Sequence, residues 1–259
     1  MEREPGKVSE IDHGRPRRAR GIYLLPNLFT TAALFAGFYG VLAAMNGQFE
    51  KAAIAIFVAM VLDGLDGRVA RMTDTQTAFG AEYDSLSDMV AFGLAPSLVI
   101  YEWGLATLGR LGWLAAFIYT AGAALRLARF NSQLATADKR FFTGLPSPSA
   151  AAIVAAFVWV AVDNGLSSAD FAWPAMILTA GAGLLMVSNV WYHSFKEIDL
   201  KGKVPFVAIV VVMLAFAVIV SEPPLVLFAL FFIYTLSGPF LGLKRLVDKR
   251  RRRTSASES

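Results

Sequence analysis

The sequence predicts an all-α, polytopic membrane protein with about eight transmembrane helices and both termini in the cytoplasm, and three observations carry that prediction. Of the 259 residues 56% are apolar, and the mean hydropathy is +0.54, more than a water-soluble fold of this size uses. Long stretches with few or no charges recur from Pro26 to Leu243, each able to cross a hydrocarbon core that takes roughly 20 helical residues. The basic residues, finally, fall between these stretches with a strong bias to one side. Cysteine is absent, which excludes a disulfide framework, a thiolate metal site and a thiol nucleophile.

Taken in chain order, a basic cytoplasmic or interfacial segment comes first, residues 1–25, and within it "GRPRRARGIYLLPN", Gly14 to Asn27, suits a position along the membrane surface. Because this polar segment precedes the first apolar run, and that run opens a series of similar ones, it reads as a retained helix rather than a cleaved signal. Runs bounded by Gly, Pro or charge then place helices near 26–46, 50–71, 84–103, 111–135, 147–163, 172–192, 204–221 and 223–243. The fifth, within "PSPSAAAIVAAFVWVAVDNG", is short and alanine-rich. Residues 26–243 thus form one eight-helix membrane domain. Residues 244–259, with Arg250 to Arg253 opening "RRRRTSASES", read as a basic disordered tail that anchors topology and draws anionic lipid. No fixed-period repeat stands out.

An even number of spans puts both termini on one side, and Lys and Arg accumulate on the cytoplasmic side. With eight spans, one side receives the six basic residues before the first helix, Arg68 and Arg71, then Arg126, Arg129, Lys139 and Arg140, then Lys196, Lys201 and Lys203, and seven from Lys244 to Arg253. These are 22 of the 24; only Lys51 and Arg110 fall opposite. A miscounted helix would scramble that asymmetry.

One segment breaks the apolar pattern. "DGLDGRVARMTDTQTAFGAEYDSLSD", Asp63 to Asp88, holds five aspartates, a glutamate and two arginines. On a helix Asp63, Asp66, Gly67, Ala70 and Arg71 follow i, i+3, i+4, i+7, i+8 and share a face, with Leu62, Leu65 and Val69 on the other. Gly80, Asp84 and Asp88 repeat every four residues on the next helix. Four carboxylates at one membrane boundary repel, and each costs at least about 2.5 kcal/mol to bury there, so divalent cations are the natural balance. Oxygen ligands without His or Cys suit Mg²⁺ or Mn²⁺, and four could hold two ions. Two ions roughly 4 Å apart clamp a pyrophosphate and stabilise its leaving oxygen, while a less committed carboxylate takes a proton from an attacking hydroxyl. Against this stands a plainer reading, in which Asp63-Gly64 and Asp66-Gly67 mark turns of a polar loop. Asp74, Gln76 and Glu82 read as solvated loop residues.

At these residues the chain resembles the CDP-alcohol phosphotransferase family, whose signature is D-x-x-D-G-x-x-A-R, eight or nine residues, then G-x-x-x-D-x-x-x-D. Asp63, Asp66, Gly67, Ala70, Arg71, Gly80, Asp84 and Asp88 all match, with eight residues between the halves. The resemblance implies that an alcohol attacks the phosphorus of a CDP-linked lipid and CMP departs. It implies further that Asp63, Asp66 and Asp84 hold one ion, that Asp63, Asp84 and Asp88 hold the second, and that Asp88 is also the base. Gly67 would let the nucleotide approach, Arg71 would pair with phosphate, and Thr77 matches a hydroxyl position that contacts the nucleotide. "PNLFT", Pro26 to Thr30, looks like the family's N-terminal nucleotide contact, which adds Asn27 and Thr30.

The signature is shared by enzymes that use serine, inositol, glycerol phosphate or choline. "LRLARFN", Leu125 to Asn131, and "FTGLPSPSAA", Phe142 to Ala151, look like the phosphatidylserine synthase branch, which implies CDP-diacylglycerol and L-serine as substrates. Arg126 and Arg129 then meet either the serine carboxylate or a lipid phosphate, or simply fix topology by snorkelling. The alternative acceptors are glycerol 3-phosphate and inositol. A cation transporter is the alternative from another class, though its acids would be spread through the bilayer depth. The likeness also implies the inner membrane of a bacterium, a cytoplasmic site, a homodimer among membrane lipids, and no nucleic-acid partner.

Overall fold

The computed structural model of the chain describes residues 24–133, 141–193 and 206–257. The basic segment before Leu24 and Lys139, Arg140, Lys196, Lys201 and Lys203 lie outside them. Among the described residues the fold is all-helical apart from one short strand pair. Helix α1 (Leu24–Met45) turns through Asn46–Gln48 into α2 (Phe49–Thr73). Helix α3 (Ala78–Asp88) continues through a π-helical turn, Met89–Leu94, into α4 (Ala95–Trp103), and a 3₁₀ turn, Leu105–Leu108, leads to α5 (Arg110–Gln133). Then come β1 (Phe141–Thr143), α6 (Ser147–Asp163), α7 (Ser168–Val187), β2 (Trp191–His193), α8 (Phe206–Ser221) and α9 (Pro223–Ser257).

Most predicted helices appear close to their expected bounds. The third begins at Ala78 rather than 84, because Thr77 caps it: its backbone is extended and its hydroxyl oxygen accepts from the Gly80 amide at 3.0 Å. The sixth stops at Val187 instead of 192, since Ser188 turns extended and residues 191–193 pair antiparallel with β1. Alternating Ser-Asn-Val-Trp-Tyr-His has no helical stripe to bury. Helix α9 continues to Ser257, where a tail is expected from 244. No Gly or Pro interrupts the chain after Leu243, and Lys and Arg are good helix formers.

Among the described residues four helices are long and apolar enough to cross a membrane: Leu25–Met45, Arg110–Ser132, Ser168–Val187 and Pro223–Gly242. Their outer faces present Phe35, Phe38, Trp113, Phe117, Trp173, Ile177, Phe232 and Ile233 to the surroundings, an apolar surface that lipid tolerates and water does not. The protein is therefore an integral membrane protein. Charge keeps α2 from this group, and α6 is short for a different reason. It lies at the centre of the bundle, packed on α2, α4, α7 and α9, with every residue from Ala150 to Ala156 fully buried. Alanine lets those neighbours approach closely.

The α1–α2 hairpin uses the same device. Ala33, Ala36, Ala43 and Ala44 meet Ala52, Ala53, Ile56 and Ala59 in the core, and a Cβ on Gly40 would stand 3.3 Å from the Ala52 carbonyl oxygen. This close hairpin sets the N-terminal turn of α1 beside the acidic end of α2. Tyr192 joins the strand pair to α9, donating to the Thr235 carbonyl at 3.0 Å and packing on Tyr234. Burial holds the Tyr192 phenol above its ordinary pKa, so it remains a donor.

Candidate active site

Helix α2 stays helical through both Asp-Gly pairs, so the turn reading of Asp63-Gly64 and Asp66-Gly67 is replaced by the shared helical face. Asp63 and Asp66 from α2 and Asp84 from α3 offer carboxylate oxygens that all lie within 4.8 Å of one another. Asp88, one turn further along α3, shares a hydrogen bond with Asp63 and lies near Asp84. The four acids therefore converge, as the helical spacing predicts.

Their neighbours come from three directions. The α1–α2 hairpin brings the Thr30 hydroxyl to Asp66 Oδ2 at 2.6 Å, across 36 residues of chain, while the Thr30 carbonyl accepts from buried Ser87 at 3.1 Å. Thr30 thus acts on an acid rather than standing open. Asp66 is 5% exposed and has this partner; Asp84 Oδ1 is buried and has no hydrogen-bond partner. An unpartnered buried carboxylate oxygen beside two further carboxylates is what a hard divalent cation satisfies, so the residues present fit one.

A cavity of about 320 Å³ opens on one flank of the acids, lined by Asn27 and Thr30 of α1, Asp66, Gly67 and Arg71 of α2, and Gln76, Thr77, Gly80 and Asp84. Gln76, expected as a solvated loop residue, is indeed exposed in the link before α3 and also lines the cavity wall. Thr77 spends its hydroxyl oxygen on the Gly80 amide, which leaves the hydroxyl hydrogen to donate. Gly80 is tightly set, since a Cβ there would stand 3.1 Å from Thr77 Oγ1 and 3.4 Å from Asn27 Oδ1. Gly67 is different. A Cβ there would meet only the Arg71 guanidinium, at 3.5 Å and beyond, so the protein itself has room and only a ligand would need the gap. Gly67→Ala is accordingly expected to fold with a melting temperature no lower than the parent's, since alanine favours the helix, yet raise KM for a cavity-bound substrate about tenfold, which steady-state kinetics will check.

The two arginines of α5 separate. Arg126 interacts electrostatically with Asp88 and Asp63 and donates from Nη1 to Ser147 Oγ at 2.5 Å. Arg129 turns away to Asn189 Oδ1 at 3.3 Å, in the link between α7 and β2. In order, then, the site runs from the cavity through Asp66 and Asp84 to Asp63, Asp88 and Arg126. Ser85 and Asn131 tie α3 to α5 alongside at 3.0 Å. Sequence reasoning did not single out Ser85, Asn131 or Ser147, although all three lie in segments it had marked. The π turn that follows Asp88 is likewise new; π turns are frequent at functional sites, and this one is held by Tyr119, whose hydroxyl donates to the Phe92 carbonyl at 2.9 Å.

An apolar helical bundle with a converging acid quartet beside a nucleotide-sized cavity at one end defines a membrane-embedded phosphotransfer enzyme. The chain belongs to the CDP-alcohol phosphatidyltransferase family, which it matches over residues 23–187. It is 38% identical over 197 residues to the CDP-diacylglycerol–serine O-phosphatidyltransferase of Helicobacter pylori, covering 75% of this chain and 82% of that one. The enzyme of the same name in Mycobacterium leprae is 34% identical over 234 residues, 87% of this chain and 77% of its own. An archaetidylserine synthase of Methanothermobacter thermautotrophicus is 32% identical over 170 residues, 65% and 69% respectively.

Proposed function

We propose that the protein transfers the phosphatidyl group of CDP-diacylglycerol to the hydroxyl of L-serine, giving phosphatidylserine and CMP. The observation that carries this reading is the convergence of Asp63, Asp66, Asp84 and Asp88 next to the cavity, in a chain whose relatives bear the serine enzyme's name. Two Mg²⁺ or Mn²⁺ ions would be held by the four aspartates, with Asp63 and Asp84 common to both; when bound, they supply charge neutralisation at the pyrophosphate. The cytidine end occupies the cavity, with Asn27, Thr77 and Gly67 along it and Arg71 on phosphate. Asp88 accepts the serine hydroxyl proton, the new bond forms from that oxygen to the phosphorus carrying diacylglycerol, and the bond from that phosphorus to the oxygen of CMP breaks. The apolar bundle around the acids keeps water from competing.

In this reading α2, the continuous helix from Ala78 to Trp103, α6 and α8 complete eight crossings with the four long apolar helices. Both termini and the site then face the cytoplasm of a bacterial inner membrane, as the charge bias favours, and the protein acts as a homodimer. The deciding experiment supplies purified full-length protein with CDP-diacylglycerol, Mn²⁺ and, in turn, labelled L-serine, glycerol 3-phosphate and inositol. Serine-dependent CMP release is expected; release with another alcohol and none with serine would overturn the assignment.

A further inference from the structure

Thr30 stands where three helices meet, buried to 4% exposure with both its hydroxyl and its carbonyl in use. The hydroxyl lies 2.6 Å from Asp66 Oδ2 on α2 and 3.1 Å from the Pro26 carbonyl on its own helix. It has one hydrogen to give, and the nearer, anionic acceptor takes it. Pro26 is not stranded by this, because a helical carbonyl four residues back already accepts a backbone amide. The Thr30 carbonyl accepts in turn from Ser87 Oγ at 3.1 Å, and buried Ser87 sits on α3 between Asp84 and Asp88. One residue of α1 therefore ties an acid of α2 to the acidic turn of α3, across 36 and 57 residues of chain.

A carboxylate turns about its Cβ–Cγ bond unless something holds it. The other hydrogen bond to Asp66 comes from the backbone of Gly67, in its own helix, and so does not fix Asp66 relative to α3. The Thr30 hydroxyl does. It pins Oδ2, and with it the plane in which Asp66 offers an oxygen within 4.8 Å of those of Asp63 and Asp84. Hydrogen bonds of this kind orient ligating carboxylates, and losing one costs about 10–100-fold in metal affinity. We propose that Thr30 is a positioning residue for the divalent cation, its hydroxyl holding Asp66 and its carbonyl holding Ser87, so that the two sides of the acid quartet are preset for the ion. This differs from the nucleotide contact expected of Thr30, because its one hydroxyl hydrogen is spent on Asp66. The role rests on the metal-assisted transfer proposed above and adds the residue that orders its ligands.

The test measures Mn²⁺ binding to purified full-length protein without substrate, from the electron paramagnetic resonance signal of free Mn²⁺, alongside the melting temperature in EDTA. Thr30→Val keeps the shape and removes the hydroxyl, and it should raise the Mn²⁺ Kd about tenfold or more. Thr30→Ser, which keeps the hydroxyl, should stay within about threefold of the parent. In Thr30→Val, saturating Mn²⁺ should bring KM for CDP-diacylglycerol back to within about threefold of the parent. A merely structural threonine would lower the melting temperature in EDTA and leave the Kd unchanged, and a nucleotide contact would raise the donor KM at any Mn²⁺ concentration with the Kd unchanged; either result overturns the proposal. If Thr30→Val does not fold, Thr30→Ala is read by the same outcomes. If neither folds while Thr30→Ser does, the hydroxyl holds the fold and not the ion, which also overturns it. A parent that binds no Mn²⁺ overturns the metal reading itself, whereas a parent that binds it as tightly as Thr30→Val overturns this role alone.

Discussion

Asp88→Asn is expected to lower kcat with serine by about a thousandfold or more while leaving KM for the CDP-lipid within a few-fold of the parent. Asparagine matches aspartate in size and can still hydrogen-bond Asp63, so packing between α3 and α2 survives. It cannot take a proton at pH 7, and a positioned base contributes roughly 10²–10⁴ in rate; weaker hold on the second ion adds to the loss. Donor affinity is spared because Asp88 is not among the residues that line the cavity, whereas Asp66 and Asp84 are. The measurement is steady-state CMP release with the concentration of each substrate varied in turn. Serine-dependent turnover within tenfold of the parent would remove Asp88 from the role of base.

Chelation is expected to have the second large effect, and its signature lies in stability as well as turnover. EDTA should abolish CMP release, and Mn²⁺ or Mg²⁺ should return it. Because the ions bind only the folded arrangement, the melting temperature should rise with metal concentration; an ion at a hundred times its Kd stabilises by about 2.7 kcal/mol. Asp84→Asn separates the two roles of its carboxylate. Ionised carboxylates 4.8 Å apart, the widest separation among these oxygens, repel by about 3.5 kcal/mol at a surface-like dielectric, a repulsion that protonation relieves. The variant should therefore melt no lower than the parent in EDTA, yet show little or no rise with Mn²⁺ and no turnover. A parent whose melting temperature and activity ignore EDTA would end the metal reading. A variant that melts well below the parent in EDTA would mean that Asp84 holds the fold together by contacts of its own.

Helix positions and the pairing of acidic faces are local properties, and the residues alone determined them. The spacing of Asp63, Asp66 and Gly67 on one helix and of Gly80, Asp84 and Asp88 on the next follows from 3.6 residues per turn, whatever the rest of the chain does. Apolar runs bounded by Gly, Pro and charge likewise placed α6 at 147–163 without error, although its short alanine-rich run gave no hint that it lies at the bundle centre.

What only the tertiary structure decided is which side chains from elsewhere in the chain arrive at those faces. Arg126 and Arg129 are equivalent by composition and lie one turn apart, yet packing of α5 against α7, the π turn and α6 sends the first to Ser147, within the field of Asp88, and the second to Asn189. Thr30 reaches Asp66 only because alanines and glycines let α1 and α2 close into a tight hairpin. Periodicity specifies a face within one helix. The rotation and depth at which two helices meet depend on interlocking side chains far apart in sequence, and no local pattern records that.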